Sequence, residues 1–132
     1  MAITPYLFYE DLAGALRFLS RAFGFKKCGP ASRNRDGKLS HASMKFGKDL
    51  VMMGYPGPKY KNPKNLGEAT QCMYINAADV DKLFARAKKA GAKVLEEPAD
   101  TFYGARRFGV EDPEGHQWYF AQELKKRGRK RR

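Results

Sequence analysis

Cysteine is scarce in this chain, with Cys28 and Cys72 the only two in 132 residues. Two thiols cannot staple a disulfide-rich scaffold, and the sequence reads as one for a reducing, cytoplasmic setting. Long hydrophobic runs are missing as well. No stretch approaches the ~18 apolar residues of a membrane span, so no membrane partner is expected. The opening Met1-Ala2-Ile3-Thr4-Pro5 has no basic segment leading into an apolar one, and no secretory leader is expected there. No Walker sequence or clustered Gly-x-Gly supplies a phosphate-binding loop. Acid is in short supply: 14 Asp and Glu stand against 26 Lys and Arg, giving a net charge of +12.

What is present is enough for one folded domain. Hydrophobic residues make up 42% of the chain, with nine Phe, seven Tyr and one Trp, which argues for a packed core rather than disorder. The charge is unevenly placed. Lys125 to Arg132 carries seven basic residues and no acid, while residues 1–124 hold 19 basic and 14 acidic groups, a balance of +5. A block of like charge repels itself, so residues 125–132 are expected to form a disordered basic tail. Non-specific nucleic acid is a possible partner for that tail. It has no aromatic residue for base stacking, so such contact would be blind to sequence.

The body repeats itself. Tyr6-Leu7-Phe8-Tyr9-Glu10-Asp11-Leu12 has its counterpart in Tyr74-Ile75-Asn76-Ala77-Ala78-Asp79-Val80, 68 positions later. Each copy reads as a strand followed by an amphipathic helix. Apolar residues at 12, 15, 16, 19, 22 and 23 keep to one helical face. Asp11 and Asp79 suit the N-cap, and Gly24 and Gly91 suit the left-handed position that ends a helix. Three strands are expected after each helix, at about 25–33, 39–46 and 49–54, then at about 93–101, 105–111 and 116–122. The Pro- and Gly-rich stretch 54–69 reads as a linker. The fold class is thus α+β: two βαβββ modules, about 3–54 and 70–124, in a single domain spanning 1–124. The helices are expected on the outer face of the sheets. The opposite faces would close a shared, cup-shaped cavity.

The segments PYLFYEDLAGALRFLSRAFGF (5–25), DGKLSHASMKFG (36–47), DVDKLFARAKKAGA (79–92) and EPADTFYGARRFGVEDPEGHQWYF (97–120) carry a more specific signal. With the doubled βαβββ order, they resemble the vicinal oxygen chelate superfamily, in its small glyoxalase/bleomycin-resistance branch. In metal-dependent members of that family, the first strand of each module gives a His or Gln and the last strand a Glu. The resemblance puts Thr4, Met52, Cys72 and Tyr119 at those places. None is a hard oxygen or imidazole ligand, so no metal and no other cofactor is expected. The resemblance also implies a homodimer, some relatives exchanging strands.

Strand alternation then assigns faces. Tyr6, Phe8, His41, Met52, Cys72, Tyr74, Arg107 and Tyr119 are expected to line the cavity. Leu7, Val51, Met53, Met73, Ile75, Trp118 and Phe120 are expected against the helices. An aromatic cup with one His and one Arg fits a small organic ligand, anionic or neutral by preference. Rings that merely fill space are the plainer alternative. Cys72 is expected as a small buried thiol rather than a nucleophile, and His116 as a ring bonding its own turn. No catalytic residue is assigned. The leading function is a metal-independent small-molecule binding protein. The alternatives are a glyoxalase-type lyase or dioxygenase with a shifted metal site, and a nucleic-acid-associated protein acting through the tail.

Overall fold

A computed structural model describes residues 2–124; the basic tail at 125–132, with the expectation of its disorder, lies outside the described residues. The first unit runs β1 (Tyr6–Phe8), α1 (Leu12–Phe23), β2 (Lys26–Lys27), β3 (Ser32–Arg33), β4 (Leu39–Phe46) and β5 (Asp49–Gly54). A short α2 (Pro63–Leu66) lies in the connection. The second unit runs β6 (Cys72–Asn76), α3 (Val80–Lys89), β7 (Lys93–Asp100), β8 (Ala105–Glu111) and β9 (Gln117–Glu123). Each unit forms its own sheet. The orders are β1-β5-β4-β2, with β3 also on β4, and β6-β9-β8-β7. In both, the first strand runs parallel to the last and sits at the edge.

Local chemistry places the helices as the sequence implies. The Asp11 carboxylate accepts from Gly14 N–H and that of Asp79 from Lys82 N–H, satisfying donors that the first turn leaves open. Gly24 closes α1 at φ 77°, a conformation a side chain would resist. Two elements differ from expectation. The strand foreseen over 25–33 is split in two, because Gly29 takes φ 81° and Pro30 has no N–H to donate. The linker contains α2, started by the Asn62 side chain accepting from Asn65 N–H, with Pro63 at the first helical position.

One core serves both units. Met44 and Met53 of the first sheet and Phe108, Val110, Trp118 and Phe120 of the second are all 1% exposed or less. They pack with α1 and α3 into a single cluster. Phe23 of α1 meets Trp118 at 5.4 Å and Phe120 at 4.8 Å between ring centroids, and Phe46 reaches Phe120 at 5.8 Å. The helix-facing sides of the two sheets are therefore buried together. One helix per sheet cannot cover that many large side chains, so each sheet also covers part of the other.

The Asp112–Gly115 turn between β8 and β9 locks this arrangement. Glu114, 8% exposed, accepts from the backbone N–H of Glu10 at 2.6 Å and of Asp11 at 2.8 Å, and from the Asn62 amide at 2.8 Å. A carboxylate of the second unit thus closes the start of the first unit's helix. Asp112 accepts from Tyr9 Oη at 2.7 Å and from Trp118 Nε1 at 3.1 Å. Burial, and then the Asp112 carboxylate, push the Tyr9 phenol well above its ordinary pKa.

Candidate functional site

With the helix-facing sides buried together, the other side of each sheet is turned away from the core. Among the described residues, no side chains of one sheet are seen to close over this outer side of the other. The eight cavity residues fall into two groups, one on each sheet, and Tyr6, Phe8 and Tyr74 are 47%, 46% and 49% exposed.

On the first sheet, Tyr6 stands beside Met52 across β1 and β5. Its ring then crosses β5 over Gly54, and its hydroxyl shares a 2.8 Å hydrogen bond with His41 Nδ1 on β4. Gly54 makes this path possible: a Cβ there would lie 2.6 Å from Tyr6 Oη. Phe8 packs edge-on against Tyr6 at 5.7 Å and against Tyr60 at 5.7 Å.

On the second sheet, Tyr74 pairs with Tyr119 across β6 and β9. Tyr119 leans over Gly109 of β8, where an added Cβ would lie 2.7 Å from its Cδ2. The Arg107 guanidinium sits 5.6 Å from the Tyr119 ring centre and forms a 3.0 Å ion pair with Glu96. Burial works against its charge, but the Glu96 carboxylate outweighs this and raises its pKa. Tyr103, from the β7–β8 turn, closes the network. Its hydroxyl lies 3.2 Å from that of Tyr74 and accepts from Arg107 at 3.2 Å. The phenol contact raises the pKa of Tyr74 and lowers that of Tyr103. Burial raises Tyr119.

A cleft of about 500 Å³ runs between the edge strands β1 and β6 and brings Tyr6, Phe8 and Cys72 to one lining, with Tyr60 and His116. His41, Met52, Tyr74, Arg107 and Tyr119 lie outside that lining. Two expectations need correction. Cys72 is exposed rather than buried, because nothing in the described residues covers its face of β6. The His116 ring does not bond its own turn. Its Nε2 donates to the Phe8 carbonyl at 2.7 Å, and its ring lies 4.7 Å from that of Tyr9.

Sequence reasoning missed Glu96, Tyr103 and the two glycines. β7 carries register irregularities on both sides of Glu96, so alternation does not report its face. Tyr103 belongs to a turn, where no alternation applies. Gly54 and Gly109 offered a signal, since glycine inside a strand marks a close approach.

The chain matches the Glyoxalase/Bleomycin resistance protein/Dioxygenase superfamily over residues 3–120. It belongs to that superfamily. It is 33% identical over 129 residues to an uncharacterized protein of Mycobacterium tuberculosis, covering 94% of this chain and 75% of the relative. Among solved structures, TioX from Micromonospora sp. ML1 matches with a TM-score of 0.76 at 30% identity, over 94% of this chain and 99% of that one. The fosfomycin resistance protein FosX from Listeria monocytogenes matches with a TM-score of 0.68 at 12% identity, over 94% of this chain and 93% of that one. The second likeness is one of fold alone. By the sequence resemblance, the places of the family's metal ligands fall on Thr4, Met52, Cys72 and Tyr119. A hydroxyl, a thioether, a thiol and a phenol do not fit a divalent ion held by imidazole and carboxylate. Among the described residues, no three His, Cys, Asp or Glu side chains gather as a metal set. Nor is any helix there long and apolar enough to cross a membrane.

Proposed function

We propose that this superfamily member is a metal-independent binding protein for small, ring-bearing organic molecules. The ligand lies on the open sheet faces, and a second copy of the chain completes the site. The observation that carries the reading is the half exposure of Tyr6, Phe8 and Tyr74 on faces whose opposite sides are already buried. Aromatic rings left on an open sheet surface, with a few polar groups among them, favour an apolar partner or ligand. Two such faces per chain suit a two-fold dimer, in which the first sheet of one copy faces the second sheet of the other.

The polar groups narrow the ligand. Arg107 is matched by Glu96, so its pull on an anion is offset. A neutral aromatic ligand therefore fits better than a strongly charged one. His41 and Tyr103 then serve as hydrogen-bonding groups at the edges of the aromatic surface. Both cysteines are free, in keeping with a reducing, cytoplasmic setting.

The test is native mass spectrometry of the wild type and of Phe8→Asp and Tyr74→Asp variants. The wild type should fly as a dimer carrying small-molecule adducts. A charge in either apolar face should shift the protein to monomer and strip the adducts. A wild-type monomer without adducts at micromolar concentration would contradict the proposal.

A further inference from the structure

The open faces share a feature that aromatic content alone does not require. On each sheet one tyrosine ring crosses the backbone at a glycine. Tyr6 passes over Gly54 toward His41, and Tyr119 passes over Gly109 beneath Arg107. Both glycines are interior or terminal strand residues rather than turn residues, and neither has positive φ. Glycine's freedom of backbone conformation is not in use at either place. What each supplies is the missing Cβ, and the space is taken by a ring. A side chain would lie 2.6 Å from the Tyr6 hydroxyl in one case and 2.7 Å from Tyr119 Cδ2 in the other, closer than real Cβ contacts allow. The consequence is a ring laid across the strand where a side chain would stand; Tyr6 stays 47% exposed there, and Tyr119 carries the Arg107 guanidinium over its ring.

We propose that Gly54 and Gly109 determine the shape of the binding faces, seating Tyr6, and Tyr119 with the planar Arg107 guanidinium beside it, so that each sheet offers a level floor selective for planar, uncharged ring systems over puckered ones of equal size. The proposal rests on the small-molecule reading above and adds the class of ligand. With any other residue beneath it, the ring must tilt off the sheet and present an edge. An edge-on ring still covers apolar surface, so it retains a puckered ligand while losing the offset stacking that a flat one gains. A ring over a strand glycine also steadies the sheet. A purely steadying role changes melting temperature without changing preference between two ligands of equal bulk.

The probes are 2-naphthol and its saturated counterpart decahydro-2-naphthol, titrated calorimetrically into the wild-type protein and into the Gly54→Ala and Gly109→Ala variants. The wild type should prefer the planar probe by about tenfold, the effect of one or two stacked aromatic pairs. Each alanine variant should lose most of that preference by weakening 2-naphthol alone. Unchanged preference in both variants overturns the proposal and leaves the small-molecule reading in place. Absence of binding by either probe to the wild type overturns both. If Gly109→Ala does not fold, Gly109→Ala combined with Tyr119→Leu relieves the clash. That double variant should bind 2-naphthol as weakly as Tyr119→Leu alone, since no ring remains to be seated. A further tenfold loss in the double variant would show that Gly109 acts by some other means, and would overturn the proposal.

Discussion

Tyr9 tests how the two units are joined, through its response to alkali. Its ring is 1% exposed, and its hydroxyl donates to Asp112 Oδ2 at 2.7 Å. Burial, then Asp112, push its pKa well above the ordinary value. In the unfolded chain a tyrosine ionises near ~10. The folded state therefore holds the neutral phenol, and the stability this confers is whole below pH ~10. Above that, the unfolded state releases a proton that the folded state keeps, and stability falls by up to ~1.4 kcal/mol per pH unit. Tyr9→Phe keeps the ring and removes the titrating group. At pH 8 it loses one hydrogen bond to a buried carboxylate, about 1.5–3 kcal/mol. The lower end applies, because Asp112 Oδ2 retains the Trp118 indole N–H at 3.1 Å. Between pH 10 and 11 the gap between the two proteins should then narrow by about 1 kcal/mol, because the unfolded tyrosine is only half ionised at the start of that interval. Tyr60, pushed up to about 12 mainly by burial, loses stability in the same direction but is present in both proteins and cancels. Guanidinium unfolding at pH 8, 10 and 11 reads the gap through the single tryptophan, Trp118, which is fully buried. Parallel stability curves over all three pH values would refute the buried, neutral Tyr9–Asp112 pair.

Glu114→Gln sets an amide N–H₂ against the donors that Glu114 now accepts from, so it should cost about 1–3 kcal/mol, measurable as a lower melting temperature. Gly115→Ala should destabilise strongly, since Gly115 holds φ 95° and its Cβ would lie 2.6 Å from the Lys64 nitrogen. Calorimetry of this variant should show a larger loss than Gly37→Ala, where nothing lies within 4 Å. Removing residues 125–132 takes the net charge from +12 to +5. Melting temperature and small-molecule binding should hold, while duplex DNA affinity and its salt dependence should fall sharply. A truncated protein melting several degrees lower would contradict the division between body and tail.

Much of the fold was legible because burial here follows period two along the strands. Val51 and Met53, and likewise Trp118 and Phe120, alternate with Met52 and Tyr119, so the sequence reports which face each strand buries. The doubled motif and its Asp caps report the helices in the same way. The placement of one unit on the other was not legible. It depends on which apolar surfaces are large enough to cover one another, a property of Phe23, Phe46, Trp118 and Phe120 together rather than of any local pattern. The role of Glu114 was hidden for a related reason. Its partners Glu10 and Asp11 lie more than a hundred positions away. Cys72 was misjudged because β6 was read as half of a closed cup, whereas among the described residues Cys72 stands exposed.

The most direct test of the account is ¹⁹F NMR of protein labelled with 3-fluorotyrosine, titrated with 2-naphthol. The seven tyrosines give separate signals that single Tyr→Phe variants assign. Ligand held on the open sheet faces should move the resonances of Tyr6, Tyr74 and Tyr119 and leave that of Tyr9, sealed between the units, in place. Saturable movement of Tyr9 or Tyr55 alone, with Tyr6, Tyr74 and Tyr119 unmoved, would put the ligand elsewhere and contradict the account.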